Sequence, residues 1–232
     1  MISNKSDRKI STSDILAIVA LVVSIFALYI CVKQLWVQEG QYESQKKENQ
    51  PVFEVTTYFD KVENDTMTDT EILTIKNIGR EALSIGLIQC ETYIKFNERY
   101  YQDRQTLFIP VMDYYASHAD RPGLIGEVIT DITEGNRLEY NRFSKECRDN
   151  STMFNRYTCQ LINFVIIRYT DIYDDYHVVY YENGQKCSKE YYEDIVKKSR
   201  DDFHEHFFKM GSLHFEDLKE FCKIDKTRKM SR

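Results

Sequence analysis

The sequence predicts an α+β chain, mainly β. It comprises an N-terminal transmembrane helix, a polar helical stalk, an antiparallel β-sandwich and two or three C-terminal helices. Three observations predict it. Eighteen nearly uninterrupted apolar residues, Ile15 to Val32, lie near the N-terminus, with Ser24 their one clearly polar member. Short segments with a hydrophobic period of two then recur between residues 53 and 182, separated by turn residues. Beyond Cys187 the apolar spacing changes to that of amphipathic helices.

Residues 1–14 form a polar flank and residues 15–37 the transmembrane helix. As a helix the apolar run spans about 27 Å, close to the roughly 30 Å of bilayer hydrocarbon. A cleaved signal would end in small residues, whereas this run exits through Leu28-Tyr29-Ile30-Cys31-Val32-Lys33. A lipoprotein signal would place a small residue before Cys31, and Ile30 stands there. A soluble core helix would keep a polar face, which is missing. Trp36 and Lys33 suit the membrane–water interface. Lys5, Arg8 and Lys9 on one side balance Lys33, Lys46 and Lys47 on the other, so the positive-inside rule leaves the orientation open. Outside the anchor stand Cys90, Cys147, Cys159, Cys187 and Cys222. This odd number without tight spacing suits a reducing compartment and hence a cytoplasmic body, although two disulfides plus one spare thiol also satisfy the count.

Within the anchor, Ser13, Ala17, Ala20, Ser24, Ala27 and Cys31 recur at intervals of 4-3-4-3-4, which places all six on one helix stripe. Small residues on one stripe let membrane helices approach closely, so the spacing predicts self-association. The stripe continues through Gln34, Gln38, Gln41 and Gln45, where glutamine weakens any pairing in water. Residues 38–50 contain no aliphatic side chain yet are mostly acceptable helix formers, which predicts the polar stalk. Pro51 disfavours helix at Asn49-Gln50 and should end it.

Residues 51–185 form the predicted β-sandwich. Phe53, Val55 and Phe59 alternate with Glu54, Thr56 and Tyr58; Leu73 and Ile75 follow, then Leu83, Ile85 and Leu87. Asn77-Ile78-Gly79 supplies a turn between the last two. A strand from Tyr100 to Ile109 should end at Pro110, Pro122-Gly123 is a turn, and Val128 to Ile132 is a short strand. Asn136 to Arg148 reads as helix or loop. Leu161 to Tyr169 is apolar on both faces apart from Asn163 and Arg168, as a central strand is, and pairs with Tyr176 to Glu182 as a hairpin. Residues 186–232 form a helical segment with a basic tail. Ser188 caps a helix with Tyr191, Tyr192, Ile195 and Val196 on one face. A second helix is expected over Asp201 to Met210, with Gly211 its C-terminal cap and Ser212 opening a third that carries Phe215, Leu218, Phe221 and Cys222.

Three local features, Gln50-Pro-Val-Phe-Glu-Val55, Ile75-Lys-Asn-Ile-Gly79 and Ile167-Arg-Tyr-Thr-Asp-Ile172, give residues 15–182 a pattern that resembles uncharacterised bacterial single-pass membrane proteins. Those carry one N-terminal transmembrane helix, a polar stalk and an immunoglobulin-like β-sandwich. The resemblance implies a fold and a membrane address, and no activity.

The chain lacks phosphate-binding, dinucleotide-binding and nucleophile-elbow glycine patterns, so no cofactor is expected and nucleotide motors, ordinary kinases and α/β-hydrolases are excluded. The weak metal candidates are His204 and His206, beside Asp201, Asp202 and Glu205, with His214 further on. Two helical residues two apart diverge by about 200°, so they match no zinc spacing and read as surface histidines. Asp171, Asp174 and Asp175 lack the calcium-loop spacing and read as a turn. Most of the seventeen tyrosines read as strand formers. A net charge of −6 argues against a nucleic-acid partner. Lys219 to Arg232 holds six basic and two acidic residues, a tail fit for anionic lipid or for solvent. The leading expectation is a non-enzymatic, single-pass interaction or assembly module whose partners are the lipid bilayer, a second copy through the transmembrane helix, and an unknown protein. The alternatives are a membrane-perturbing effector that acts on clustering and a membrane-tethered, metal-dependent hydrolase.

Overall fold

The computed structural model describes residues 12–60, 69–100, 103–118, 125–153, 155–204, 206–219 and 221. The charged N-terminal flank with Lys5, Arg8 and Lys9, the Pro122-Gly123 turn, Glu205, Cys222 and the tail beyond it lie outside the described residues. The chain divides into two compact units, Met1–Glu48 and Asn49–Arg232.

The first unit is one helix, α1 (Thr12–Glu48). It is the one described helix long and apolar enough to cross a membrane, with a mean hydropathy of 3.0 over its best eighteen residues. It runs through Gly40 without a break and stops just before Pro51, whose ring disfavours helix in the residues ahead of it.

The second unit is mixed α and β, with two sheets. Its strands are β1 (Phe53–Asp60), β2 (Thr70–Asn77), β3 (Ser84–Tyr100), β4 (Asp103–Met112), β5 (Gly126–Ile132), β6 (Asn155–Thr170), β7 (Tyr176–Glu182), β8 (Gln185–Cys187) and β9 (Phe208–Lys209). Its helices are α2 (Asn136–Asp149), α3 (Lys189–Phe203) and the short α4 (Phe215–Leu218), with a 3-10 turn at Met210–Ser212. One sheet has the order β1-β2-β5 and the other β8-β7-β6-β3-β4-β9. All pairs are antiparallel except β4 with β9.

Alternation decides what each strand buries. Phe53 and Val55, Leu73 and Ile75, and Ile129 of the small sheet share one core cluster with Ile94 and Phe96, Leu107 and Ile109, and Val165 and Ile167 of the large one. The opposite face of the large sheet presents Tyr93, Phe108, Ile162 and Phe164, which α3 covers with Ile195, helped by Tyr192 and Val196. Each sheet therefore buries aliphatic side chains at a period of two, and β3 and β6, buried on both faces, carry the longest register.

Several local expectations change. Leu83, Ile85 and Leu87 do not share a buried face. The β3–β6 register shifts by one residue between Ile85 and Ile88, so Ile88 takes the buried position and Leu87 turns outward, while Leu83 stands in the connection before β3 and is exposed. Phe59 is exposed as well, under the guanidinium of Arg137 at 5.3 Å. Pro110 does not end β4; it pairs with Tyr93 inside it. On the far side of β4 the ladder to β9 covers Val111 and Met112 alone, so the missing proline amide costs no sheet bond. Asn136–Asp149 is a helix, with Tyr140, Phe143 and Cys147 in the core.

The C-terminal segment differs most. Ser188 caps α3, accepting from the Tyr191 amide at 3.2 Å. No helix spans Asp201 to Met210. α3 ends at Phe203 because His204 takes a left-handed conformation, with φ 48°. Phe203 then packs edge-on against Phe208, and Phe208–Lys209 lies as a strand along β4. Gly211 sits in the 3-10 turn rather than capping a helix, and His214, not Ser212, caps α4.

Candidate functional site

On α1 the six small residues lie within about 40° of one line at 100° per residue. The Ser24 hydroxyl donates to the Ala20 carbonyl one turn earlier, at 2.8 Å. Its hydrogen-bonding need is met inside its own helix, so the stripe offers close approach and not a free donor. Cys31 is an exposed thiol on the same line. The Lys33 ammonium lies 4.9 Å from the Trp36 ring centre and 6.0 Å from that of Tyr29, a cation–aromatic cluster of the kind that sits at headgroup level.

In the second unit, the three motifs that carry the bacterial resemblance meet at the end where the chain enters. Ile78 donates its amide to Val52 O at 2.8 Å, and Arg80 to Gln50 O at 3.4 Å. Gly79 is required there: a Cβ would lie 2.4 Å from Val52 N. Asn77 holds the turn, accepting from the Gly79 amide at 3.1 Å and donating to Arg80 O at 2.8 Å. Phe53 packs edge-on against Tyr169, their ring centres 5.3 Å apart, and its carbonyl accepts from the Tyr181 hydroxyl at 2.9 Å. The Asn49 amide side chain donates to the Tyr173 hydroxyl at 3.1 Å.

Asp171 organises the adjoining β6–β7 turn. Its carboxylate is fully buried and accepts from the amides of Tyr173 and Asp175, at 2.9 and 3.0 Å, and from His177 Nε2 at 2.8 Å. Burial works to raise its pKa, but these three donors outweigh it and hold the carboxyl below its ordinary range. Asp171, Asp175 and His177 are also the described side chains whose ligand atoms approach one another closely enough to share a metal ion. The donors around Asp171 already occupy both of its oxygens, so the geometry is that of a turn held by its aspartate.

A candidate binding surface is a groove of about 500 Å³ between α3 and the outer face of β3 and β4, lined by Glu91, Tyr93, Met112, Tyr192, Arg200 and Phe207 among others. Glu91 Oε2 accepts from the hydroxyls of Tyr93 and Tyr192, each at 2.9 Å, and Oε1 from the Gln89 amide. Gln89 in turn accepts from Arg168 at 3.1 Å. Burial, then the nearby Glu91 carboxylate, pushes both tyrosine hydroxyls well above their ordinary range. Cys90 at the same groove is pushed up to about 12, by burial first and Asp131 second. These groups stay protonated at neutral pH. They suit the holding of a ligand or partner by hydrogen bonds and apolar contact, and they offer no nucleophile.

The sequence-derived metal candidates do not come together. His204 is the cap residue of α3, His206 lies edge-on to Phe208 at 4.6 Å, and His214 bonds Glu146 at 3.1 Å across from α2. Cys90, Cys159 and Cys187 are free thiols, and Cys147 is buried in the core.

Sequence reading missed two polar assemblies besides the groove. Glu71 on β2, buried, accepts from the Tyr114 and Tyr115 hydroxyls at 2.8 and 3.0 Å and from Arg137 at 3.2 Å. Asn136 clamps the Glu71 backbone from both sides and fixes the start of α2. The tyrosine doublet was the signal: these two leave the strand and serve as donors to a carboxylate more than 40 residues away. The second assembly joins Arg142 to Glu139, Glu146 and the carbonyls of Met210, Gly211 and Leu213, tying the C-terminal segment to α2. The chain matches no protein-family model and no curated protein.

Proposed function

We propose that the chain is a membrane-anchored, non-enzymatic interaction module: a single-pass helix that associates with a second copy through its small-residue stripe and presents an immunoglobulin-like body to a protein partner. The observation that carries the reading is α1, 37 residues long with its apolar run exposed throughout. The strand order supports the immunoglobulin-like part. Taking β1, β2, β3, β4, β5, β6 and β7 as strands A, B, C, C′, E, F and G, the sheets read A-B-E and G-F-C-C′ with β8 and β9 added at the edges of the second, the Greek-key order of that fold without its D strand. The protonated thiol and tyrosines of the groove support binding over catalysis.

The anchor's chemistry sets the test. Since Ser24 satisfies its own hydroxyl, Ser24→Ala should leave self-association in a bacterial membrane reporter intact, while Ala20→Leu with Ser24→Leu should abolish it. Association that survives the paired leucines overturns the assembly part. Release of the full-length chain from membranes by alkaline carbonate overturns the anchor.

A further inference from the structure

Connections between strands are normally polar, yet at one end of the second unit each carries an exposed aliphatic side chain as well. Val52 stands on the entering segment, Ile78 and Leu83 at the two ends of the β2–β3 connection, Ile125 just before β5 and Ile172 in the β6–β7 turn. All five are exposed, at 52, 59, 59, 57 and 46 % of their surface. They make up most of the exposed Val, Ile and Leu side chains among the described residues of this unit, the others being Leu87, Ile132 and Leu138.

Register places all five together. Phe53 pairs with Asn77 and Asn77 with Gly126, so Val52, Ile78 and Ile125 share one end of the small sheet. Ser84 pairs with Thr170 and Leu83 donates its amide to Thr170 O at 2.9 Å, so Leu83 and Ile172 share one end of the large sheet. The Phe53–Tyr169 contact and the Asn49–Tyr173 hydrogen bond make these the same end. The turns are held by hydrogen bonds of Asn77 and Asp171 and by the close approach at Gly79, with the five side chains standing outside the core.

We propose that this rim docks on the lipid surface: the five aliphatic tips enter the interfacial layer of the bilayer that α1 crosses. The inference rests on the reading of α1 as a membrane anchor. Val52 follows the last residue of α1, Glu48, by four positions, and the polar part of α1 beyond Val37 is eleven residues, about 16 Å. The tether is therefore short enough to leave this end within reach of the headgroups. The tether holds lipid at high effective concentration, so a shallow insertion of a few aliphatic tips suffices without an amphipathic helix. A neutral surface fits, since the rim combines exposed Arg80 with exposed Glu81 and Asp174 and has no basic excess.

Tryptophan reporters test it, because Trp36 is the single native tryptophan. The full-length chain is reconstituted in phosphatidylcholine vesicles with and without brominated acyl chains. Wild-type Trp36 reports the anchor. In a Trp36→Phe background, Ile78→Trp and Ile172→Trp report the rim at two independent turns, and Leu138→Trp, exposed on α2, is the control. The expected result is bromolipid quenching of both rim reporters to the same order as Trp36, with the control unquenched and open to acrylamide. Quenched Trp36 with unquenched rim reporters overturns the docking and leaves the anchor standing. Blue-shifted but unquenched rim reporters put a second copy there instead of lipid, and also overturn it. Equal quenching at Leu138→Trp removes the assignment to this end. An unquenched Trp36 overturns the anchor itself, and the docking with it.

Discussion

Replacing Asp171 with alanine should cost the second unit about 3–4 kcal/mol. The carboxylate is fully buried and receives three hydrogen bonds, so its removal strands two backbone donors and the His177 ring nitrogen. The amides of Tyr173 and Asp175 are partly buried, which sets their cost near the low end of the range, about 1 kcal/mol each. A bond to a charged acceptor adds about 1.5–2 kcal/mol. Asp171→Asn keeps an oxygen for both amides and should cost about 1–2 kcal/mol. Urea unfolding of the full-length chain in detergent, followed by the near-ultraviolet circular dichroism of its tyrosines, gives both numbers. A loss below about 1 kcal/mol for Asp171→Ala, or equal losses for the two variants, would refute the account of the turn. The pH dependence has a definite sign. The folded carboxyl titrates below its unfolded value, which is about 3.9. Its stabilisation is therefore complete above that value and disappears as the pH falls through the lower, folded one. Asp171→Asn should flatten the stability curve on the acid side and leave its neutral part parallel to wild type.

Gly184→Ala should lose about 3 kcal/mol in thermal or urea unfolding, since φ +84° disfavours a side chain and its Cβ would lie 2.6 Å from the Val55 carbonyl oxygen. A loss under about 1 kcal/mol would mean that β1 and the β7–β8 turn are not in close approach. Tyr115→Phe removes one bond to Glu71 and should cost about 1 kcal/mol. Glu71→Ala leaves Tyr114, Tyr115 and Arg137 without their acceptor and should cost about 3–4 kcal/mol by the same assay. Cys90, pushed up to about 12, should alkylate about 10³-fold more slowly at pH 8 in the folded protein than in urea, with reactivity still climbing about tenfold per pH unit where the unfolded thiol has levelled off; peptide mass spectrometry reads the difference.

Part of the strand placement in the body was legible because the central strand β6 carries a long apolar run and Asn183-Gly184 is a two-residue turn with both φ values positive. By contrast, β3 mixes polar and apolar residues and reads as strand only as far as Leu87. The β6–β7 hairpin follows from the apolar run of β6 and the mostly polar residues 170–175 after it, and Asn183-Gly184 ends β7 and turns the chain into β8. Boundaries failed where a partner outside the window decided them. A one-residue shift against β6 turned Leu87 outward, Leu83 fell in the connection before β3, and an edge partner covering only Val111 and Met112 let Pro110 stay in β4. The helix expected over Asp201 to Met210 has suitable apolar spacing, but Phe208 gains more from the edge of β4 and Phe203 than from another helical turn. Glu71 and its tyrosines, the groove and the aliphatic rim all join residues tens of positions apart. Leu83 read as one more strand residue, and only the register shows it standing with Val52, Ile78, Ile125 and Ile172.

The strand β9 and the residues after it bear on the order of events during synthesis. Met210, Leu213, Phe215 and Leu218 belong to the same core as β1 and β2, and Phe208–Lys209 closes an edge that β4 otherwise leaves open. The body therefore cannot complete its interior until residue 218 has left the ribosome, on the order of ten seconds after residue 51 at 5–20 residues per second. Throughout that interval the apolar helix is already made and free to partition. A chain built in this order completes its membrane-length helix well before its sheet can close, and the edge of β4 stays uncovered in between.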